Sequence, residues 1–159
     1  MKIILAVDEN WGIGKDNKML FHLKKDLSHF KEETMNSIVI MGRNTYESIG
    51  HALSDRENIV LTRNYDYELH DAKVFNIPDD ILSYLENSKR DVFVIGGSQI
   101  VDIFLDHCDE AIITKIYASQ KADTFLHNFD KDDDFEISNQ SSVYEEDGLE
   151  FRYITYRRK

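Results

Sequence analysis

Short apolar runs alternate with segments of helical period along the first two thirds of the chain, and this alternation narrows the possible folds more than any other feature. Lys2–Val7, Ser37–Met41, Asn58–Leu61 and Asp91–Ile95 are β-branched or aliphatic runs bounded by Gly, Asn or charge, the pattern of buried strands. Between them, Leu23–Met35, Asn44–Ile49, Pro78–Leu85 and Ser98–Leu105 read as helices. Pro78 suits a first helical position, and Gly50 suits the residue just past a helix end. Strand alternating with helix predicts an α/β fold with a mostly parallel central sheet and helices on both faces. Ala72–Phe75 reads as a further short strand. In the last third, Glu110–Tyr117 reads as strand, and Phe135–Val143 and Leu149–Tyr156 are joined through Glu145-Glu146-Asp147-Gly148. Asp-Gly between two such runs signals a hairpin, so a C-terminal antiparallel hairpin is expected to finish the sheet. No repeat or linker interrupts the pattern, and residues 1–159 read as one domain.

Charge and cysteine content exclude several function classes. The net charge is -11, and residues 1–64 carry equal numbers of basic and acidic side chains, so the excess lies beyond them. Such acidity disfavours nucleic-acid binding, which depends on phosphate contacts, and is most simply a matter of solubility. The acidic stretch Asp130–Asp134 reads as a solvated loop. The first apolar run stops at Asp8-Glu9, short of a signal-peptide core or a membrane span. A single Cys108 forbids an internal disulfide and agrees with a reducing, cytoplasmic compartment. His107 beside it has no second pair at ligand spacing, so no metal site is expected.

In an open α/β sheet, ligands bind beyond the carboxyl ends of the parallel strands. Three strand ends carry suitable groups: Ile95-Gly96-Gly97-Ser98, Met41-Gly42-Arg43-Asn44-Thr45 and Leu61-Thr62-Arg63-Asn64. Alone, each could be a tight turn. Together, with two arginines, they point to a dinucleotide bearing an extra phosphate. Gly12-Ile13-Gly14 lacks the third glycine of the usual dinucleotide fingerprint, and no phosphate-binding G-x-x-x-x-G-K-[ST] loop is present. Glu9–His22 reads as a long glycine-containing loop, a candidate lid. On the first helix, Leu23, Leu27, Phe30 and Thr34 form one face, and Asp26 falls at its edge, away from Lys25, Glu32 and Glu33. A carboxylate there suffers desolvation unless a ligand satisfies it; the alternative is that it answers the helix dipole.

These residues together resemble dihydrofolate reductase over nearly the whole chain. The resemblance rests on Ile13-Gly14-Lys15-Asp16-Asn17, on Met19–Leu27, and on the M-G-R-x-T-x-E-S-I-G run from Met41 to Gly50. Arg56–Thr62, Val94–Gly97 and Ala122-Asp123-Thr124-Phe125 extend it. It implies an NADPH-dependent reduction of dihydrofolate to tetrahydrofolate, supporting one-carbon and thymidylate metabolism, by a monomer that needs neither nucleic acid nor membrane. Asp26 is then the catalytic carboxylate, binding the 2-amino group and N3 of the pterin, with Thr114 close by. Ile4, Leu5, Ala6, Leu27, Phe30, Ile49 and Leu53 line the folate pocket, and Arg56 holds the α-carboxylate of the glutamate tail. Gly42, Arg43, Asn44, Thr45, Leu61, Thr62, Arg63, Ile95, Gly96, Gly97, Ser98, Gln99 and Ile100 bind NADPH, with Ala6, Ile13 and Gly14 bordering the nicotinamide. Leu23 and Thr34 are packing or secondary contacts.

The chain departs from the family pattern in four places. Leu20-Phe21 replaces a usual Pro-Trp in the lid, Val101 a common tyrosine, Ala122 a common glycine and Ala52 a proline. These changes bear on lid motion and turnover. Two other readings remain at this point. One is a related pyrimidine reductase of riboflavin synthesis, which the Asp26 helix and Arg56 argue against; the other is a non-catalytic NADP(H)-binding module.

Overall fold

The computed structural model describes all 159 residues. In chain order its strands and helices are β1 (Lys2–Val7), β2 (Gly12–Lys15), β3 (Lys18–Met19), α1 (Lys24–Thr34), β4 (Ile38–Gly42), α2 (Arg43–Ile49), β5 (Glu57–Leu61), β6 (Lys73–Phe75), α3 (Pro78–Leu85), β7 (Val92–Gly96), α4 (Ser98–Phe104), β8 (Glu110–Ile116), β9 (Thr124–Phe125), β10 (Phe135–Gln140), β11 (Tyr144–Glu146) and β12 (Leu149–Arg158). The main sheet runs β10-β12-β8-β1-β7-β4-β5-β6, with β11 added to β12. Every pairing from β8 to β6 is parallel, and β12 joins β8 antiparallel. This is the expected α/β architecture, and β1 lies at its centre between β7 and β8.

The strands bury both faces because alternate residues point to opposite sides. Ile38, Ile40, Ile59, Leu61 and Val94 pack on one side with Ile81 of α3 and Val101 and Phe104 of α4. Val39, Met41, Val60, Phe93 and Ile95 pack on the other with Tyr46 and Ile49 of α2 and Phe30 of α1. Pro78 opens α3 as expected. Gly50 ends α2 at φ 93°, the left-handed conformation that glycine takes without a Cβ penalty. No helix is long and apolar enough to cross a membrane.

Two local expectations are corrected. Glu9–His22 is not all loop: β2 and β3 form a hairpin that pairs with β9 in a second, three-stranded sheet. Its turn is Asp16-Asn17, at φ 52° and 62°, the two positive φ values that a type I′ hairpin turn requires. The strand expected over Phe135–Val143 stops at Gln140. There Ser141 Oγ accepts the N–H of Tyr153 at 2.9 Å, so a side chain replaces the ladder acceptor.

Candidate active site

The carboxyl ends of β1, β4, β5, β7 and β8 open into one cleft of about 990 Å³. All of the substrate- and cofactor-contacting residues expected from the sequence line this cleft. Three residues set apart from that group lie elsewhere. Leu23 packs with Ile116 and Phe151, Val101 is fully buried in the core beneath α4, and Thr34 is buried behind Arg56.

Asp26 stands in the first turn of α1. Its Oδ1 accepts the Thr114 hydroxyl of β8 at 2.5 Å. Burial pushes its carboxyl above the usual value, opposed by the Thr114 hydrogen bond and by His29 and reinforced by Glu146. No Lys, Arg or His lies within ion-pair distance of it. Leu27, the next residue, exposes 47% of its surface in the wall of the cleft. The pair offers an acceptor beside an apolar face, a combination suited to a flat heterocycle with N–H donors along one edge.

Arg56 is anchored but not neutralised. Its Nε donates to the Ser54 carbonyl at 2.8 Å, and its Nη1 donates to Thr34 Oγ1 at 3.1 Å. Thr34 Oγ1 in turn donates to the Phe30 carbonyl at 2.8 Å. A guanidinium has five N–H donors, so the remainder are free to take a carboxylate.

At the other end of the cleft, the backbone is bare. The Gly96–Gly97 peptide is cis. A Cβ built on Gly97 would meet nothing within 4 Å, whereas one on Gly42 would come within 3.0 Å of Ile100. Neither α2 nor α4 has a side-chain cap, so their first N–H groups remain available to an anion. Arg43 is engaged by Glu47 at 2.9 Å and lies over the Tyr67 ring. Arg63 is exposed and has no carboxylate partner. Bare backbone, two arginines and the hydroxyls of Thr45 and Thr62 form a cradle that fits a phosphorylated dinucleotide.

The β2–β3 hairpin, the candidate lid, is tied at its base and at its turn. Asp8, 1% exposed, accepts the N–H groups of Asn10 and Gly12 through Oδ1 at 2.8 Å, and that of Gln120 through Oδ2 at 3.3 Å. Asp123 Oδ2 accepts the Asp16 N–H at 2.9 Å. A Cβ on Gly12 would lie 2.8 Å from the Ala122 methyl, so glycine at 12 is what lets Ala122 stand there. Leu20 and Phe21 face the cleft. Sequence reasoning passed over Asp8, His29 and Lys31 as cleft residues. Asp8 looks like the end of a strand, and the other two look like ordinary wet positions on a helix.

The family model for dihydrofolate reductase matches residues 1–158. The chain is 34% identical over 160 residues to the dihydrofolate reductase of Bacillus subtilis (strain 168), covering 100% of this chain and 95% of that protein. It is 33% identical over 161 residues to that of Haemophilus influenzae, covering 99% and 98%. Among solved structures, dihydrofolate reductase from Enterococcus faecalis complexed with NADP(H) and RAB-propyl is similar at a TM-score of 0.90 and 33% identity, covering 99% of this chain and 95% of that one.

Proposed function

This chain belongs to the dihydrofolate reductase family and reduces 7,8-dihydrofolate to tetrahydrofolate with NADPH; we propose that Asp26 is its catalytic carboxylate. The observation that carries the assignment is an Asp26 side chain with one hydrogen-bond partner, Thr114, and no cation, set in an apolar cleft. Its remaining acceptor positions are directed to the 2-amino group and N3 of the pterin. Thr114 holds the carboxylate in one rotamer. Ile4, Leu5, Ala6, Leu27, Phe30, Ile49 and Leu53 exclude water from the ring, and Arg56 takes the α-carboxylate of the glutamate tail through its free N–H groups.

NADPH, when bound, supplies a hydride to C6 of the substrate. Gly42, Asn44, Thr45, Leu61, Thr62, Ile95, Gly96, Gly97, Ser98, Gln99 and Ile100 hold it, Arg43 and Arg63 read its 2′-phosphate, and Ala6, Ile13 and Gly14 border the nicotinamide. Asp26 favours the N5-protonated pterin electrostatically, and solvent water delivers the proton to N5. The enzyme works as a monomer, as the family resemblance implies. A cytoplasmic address suits its one buried, unpaired Cys108.

The test is a mixture of purified protein, NADPH and dihydrofolate, followed by the loss of reduced-nicotinamide absorbance. One NADPH is expected to be consumed per dihydrofolate, with Asp26→Asn far slower at neutral pH. Binding of both ligands without oxidation would return the chain to a non-catalytic module.

A further inference from the structure

The helix that carries Asp26 is not capped by its own neighbours. Leu23 occupies the cap position and offers no side-chain acceptor. A carboxylate from the far end of the chain serves instead: Glu146 Oε2 accepts the Lys24 N–H at 2.7 Å, and Oε1 accepts the Lys25 N–H at 2.9 Å. Glu146 ends β11, just before the Asp147-Gly148 turn, whose φ values of 52° and 81° set the tight hairpin to β12. β12 is paired with β8, and Tyr153 lies directly opposite Thr114. One rigid pair of strands therefore presents Thr114 to the Asp26 carboxylate and braces the acid that holds the start of its helix.

A helix N-terminus carries roughly half a positive charge, which favours ionisation of an acid in the first turn. A carboxylate bound across the first N–H groups offsets that charge and adds its own negative potential. The groups facing Asp26 are the Thr114 hydroxyl of β8, His29 one turn along α1, Glu146 of β11 and Tyr153 of β12. His29 stacks on Tyr153 at 3.8 Å between ring centroids and lies 3.7 Å from Glu33. Lys24 and Lys25 flank Glu146, and the Lys25 ammonium lies over the Tyr144 ring. Glu146 is thus the one carboxylate in this group fixed by two backbone hydrogen bonds to the helix that bears Asp26.

We propose that Glu146 is a positioning residue for the reaction, holding the start of α1 so that Asp26 meets Thr114 and shielding Asp26 from the positive end of its own helix. The proposal rests on the assignment of Asp26 to the pterin. Glu146→Gln keeps the side-chain length and one carbonyl acceptor but loses the charge; Glu146→Ala removes the cap altogether. Two measurements decide the matter. One is the titration of the Asp26 carboxyl carbon by NMR in the ligand-free protein, assigned with Asp26→Asn. The other is the pH dependence of hydride transfer in a single turnover.

The Asp26 midpoint should fall by about half a pH unit in Glu146→Gln. The same lost negative charge disfavours the N5-protonated pterin, so the decline of hydride transfer with rising pH should move down in the same direction, leaving the variant up to about threefold slower above both midpoints. The low-pH plateau should be unchanged, and the difference should shrink at about 1 M salt, which screens exposed charges. If Glu146→Ala fails to fold, Glu146→Gln alone carries the test. A titration and profile unmoved in Glu146→Gln, with only a lower Tm, would reduce Glu146 to a structural cap and overturn the proposal; an upward shift would overturn it as well. A wild-type protein that oxidises no NADPH would instead overturn the catalytic reading, and the NMR titration would still decide whether Glu146 governs Asp26.

Discussion

Asp26 is held where a carboxylate is disfavoured, and that has a measurable sign. Burial raises its pKa above the ordinary 3.8. Between 3.8 and the raised value the folded chain binds more protons than the unfolded one, so stability falls as the pH rises through that window. Asp26→Asn should therefore raise Tm at neutral pH and lose this advantage below about pH 3.8, as thermal melts over a pH series would show. A carboxylate that merely answered the helix dipole would give the opposite sign at neutral pH. The same variant should transfer hydride slowly at neutral pH and faster as the pH falls, because it must wait for a proton from solution. At the phosphate cradle, Arg63 lacks a carboxylate partner while Arg43 must leave Glu47. Arg63→Ala should weaken NADPH by ~1.5–3 kcal/mol, as for a lost charged hydrogen bond, and Arg43→Ala by less. Neither should change NADH binding; equal losses for both cofactors in a calorimetric titration would remove the arginines from phosphate recognition. Arg56→Leu should raise KM for dihydrofolate strongly yet leave a pterin without the glutamate tail nearly unaffected.

The lid hairpin has its own latch. Asp123 is held below the usual carboxylate range, chiefly by the Asp16 N–H and then by the Thr124 hydroxyl. A lowered pKa makes the latch fully present above the ordinary carboxylate value and lost as the pH falls through the folded one. Asp123→Ala should slow hydride transfer by roughly two- to fivefold and lower Tm only slightly, because a hydrogen bond this exposed contributes little. An unaltered single-turnover rate would show that the latch does not order the lid for chemistry. The lid is also where the sequence was least legible. The four helices announce themselves by local period, and the main strands by unbroken apolar runs, because both faces of each central strand are buried. Gly12-Ile13-Gly14-Lys15 has little intrinsic strand preference and becomes one by pairing with Thr124-Phe125, more than a hundred positions away. The Glu146 cap was hidden for the same reason, whereas Asp26 and Arg56 could be picked out through a local pattern and a specific family motif. Ser141 and the irregular register between Ile137 and Asn139 shortened a strand that composition alone would have extended.

Across the whole molecule, the antiparallel end of the sheet is fastened by a polar knot that joins a buried tyrosine to an exposed carboxylate. Tyr156, 1% exposed, donates to Asp130 Oδ1 at 2.7 Å, and Lys115 pairs with Oδ2 at 2.8 Å. Burial works to raise the Asp130 pKa, but these two hydrogen bonds overcome it and hold it low. Tyr156→Phe should cost about 1–2 kcal/mol, a few degrees in Tm, without touching KM for either ligand. A change in KM would mean that the knot reaches the cleft. The place of β1 has a different consequence, one of time. Lys2 is registered against Phe93 on one side and Glu110 on the other. On a ribosome adding about 5–20 residues per second, this apolar segment emerges ahead of both partners and waits roughly 5–20 s for them to be made. β4, β5 and β6 can meanwhile pair among themselves. A nascent chain stalled before residue 92 is thus half a sheet with an orphaned sticky end, a natural client for a chaperone.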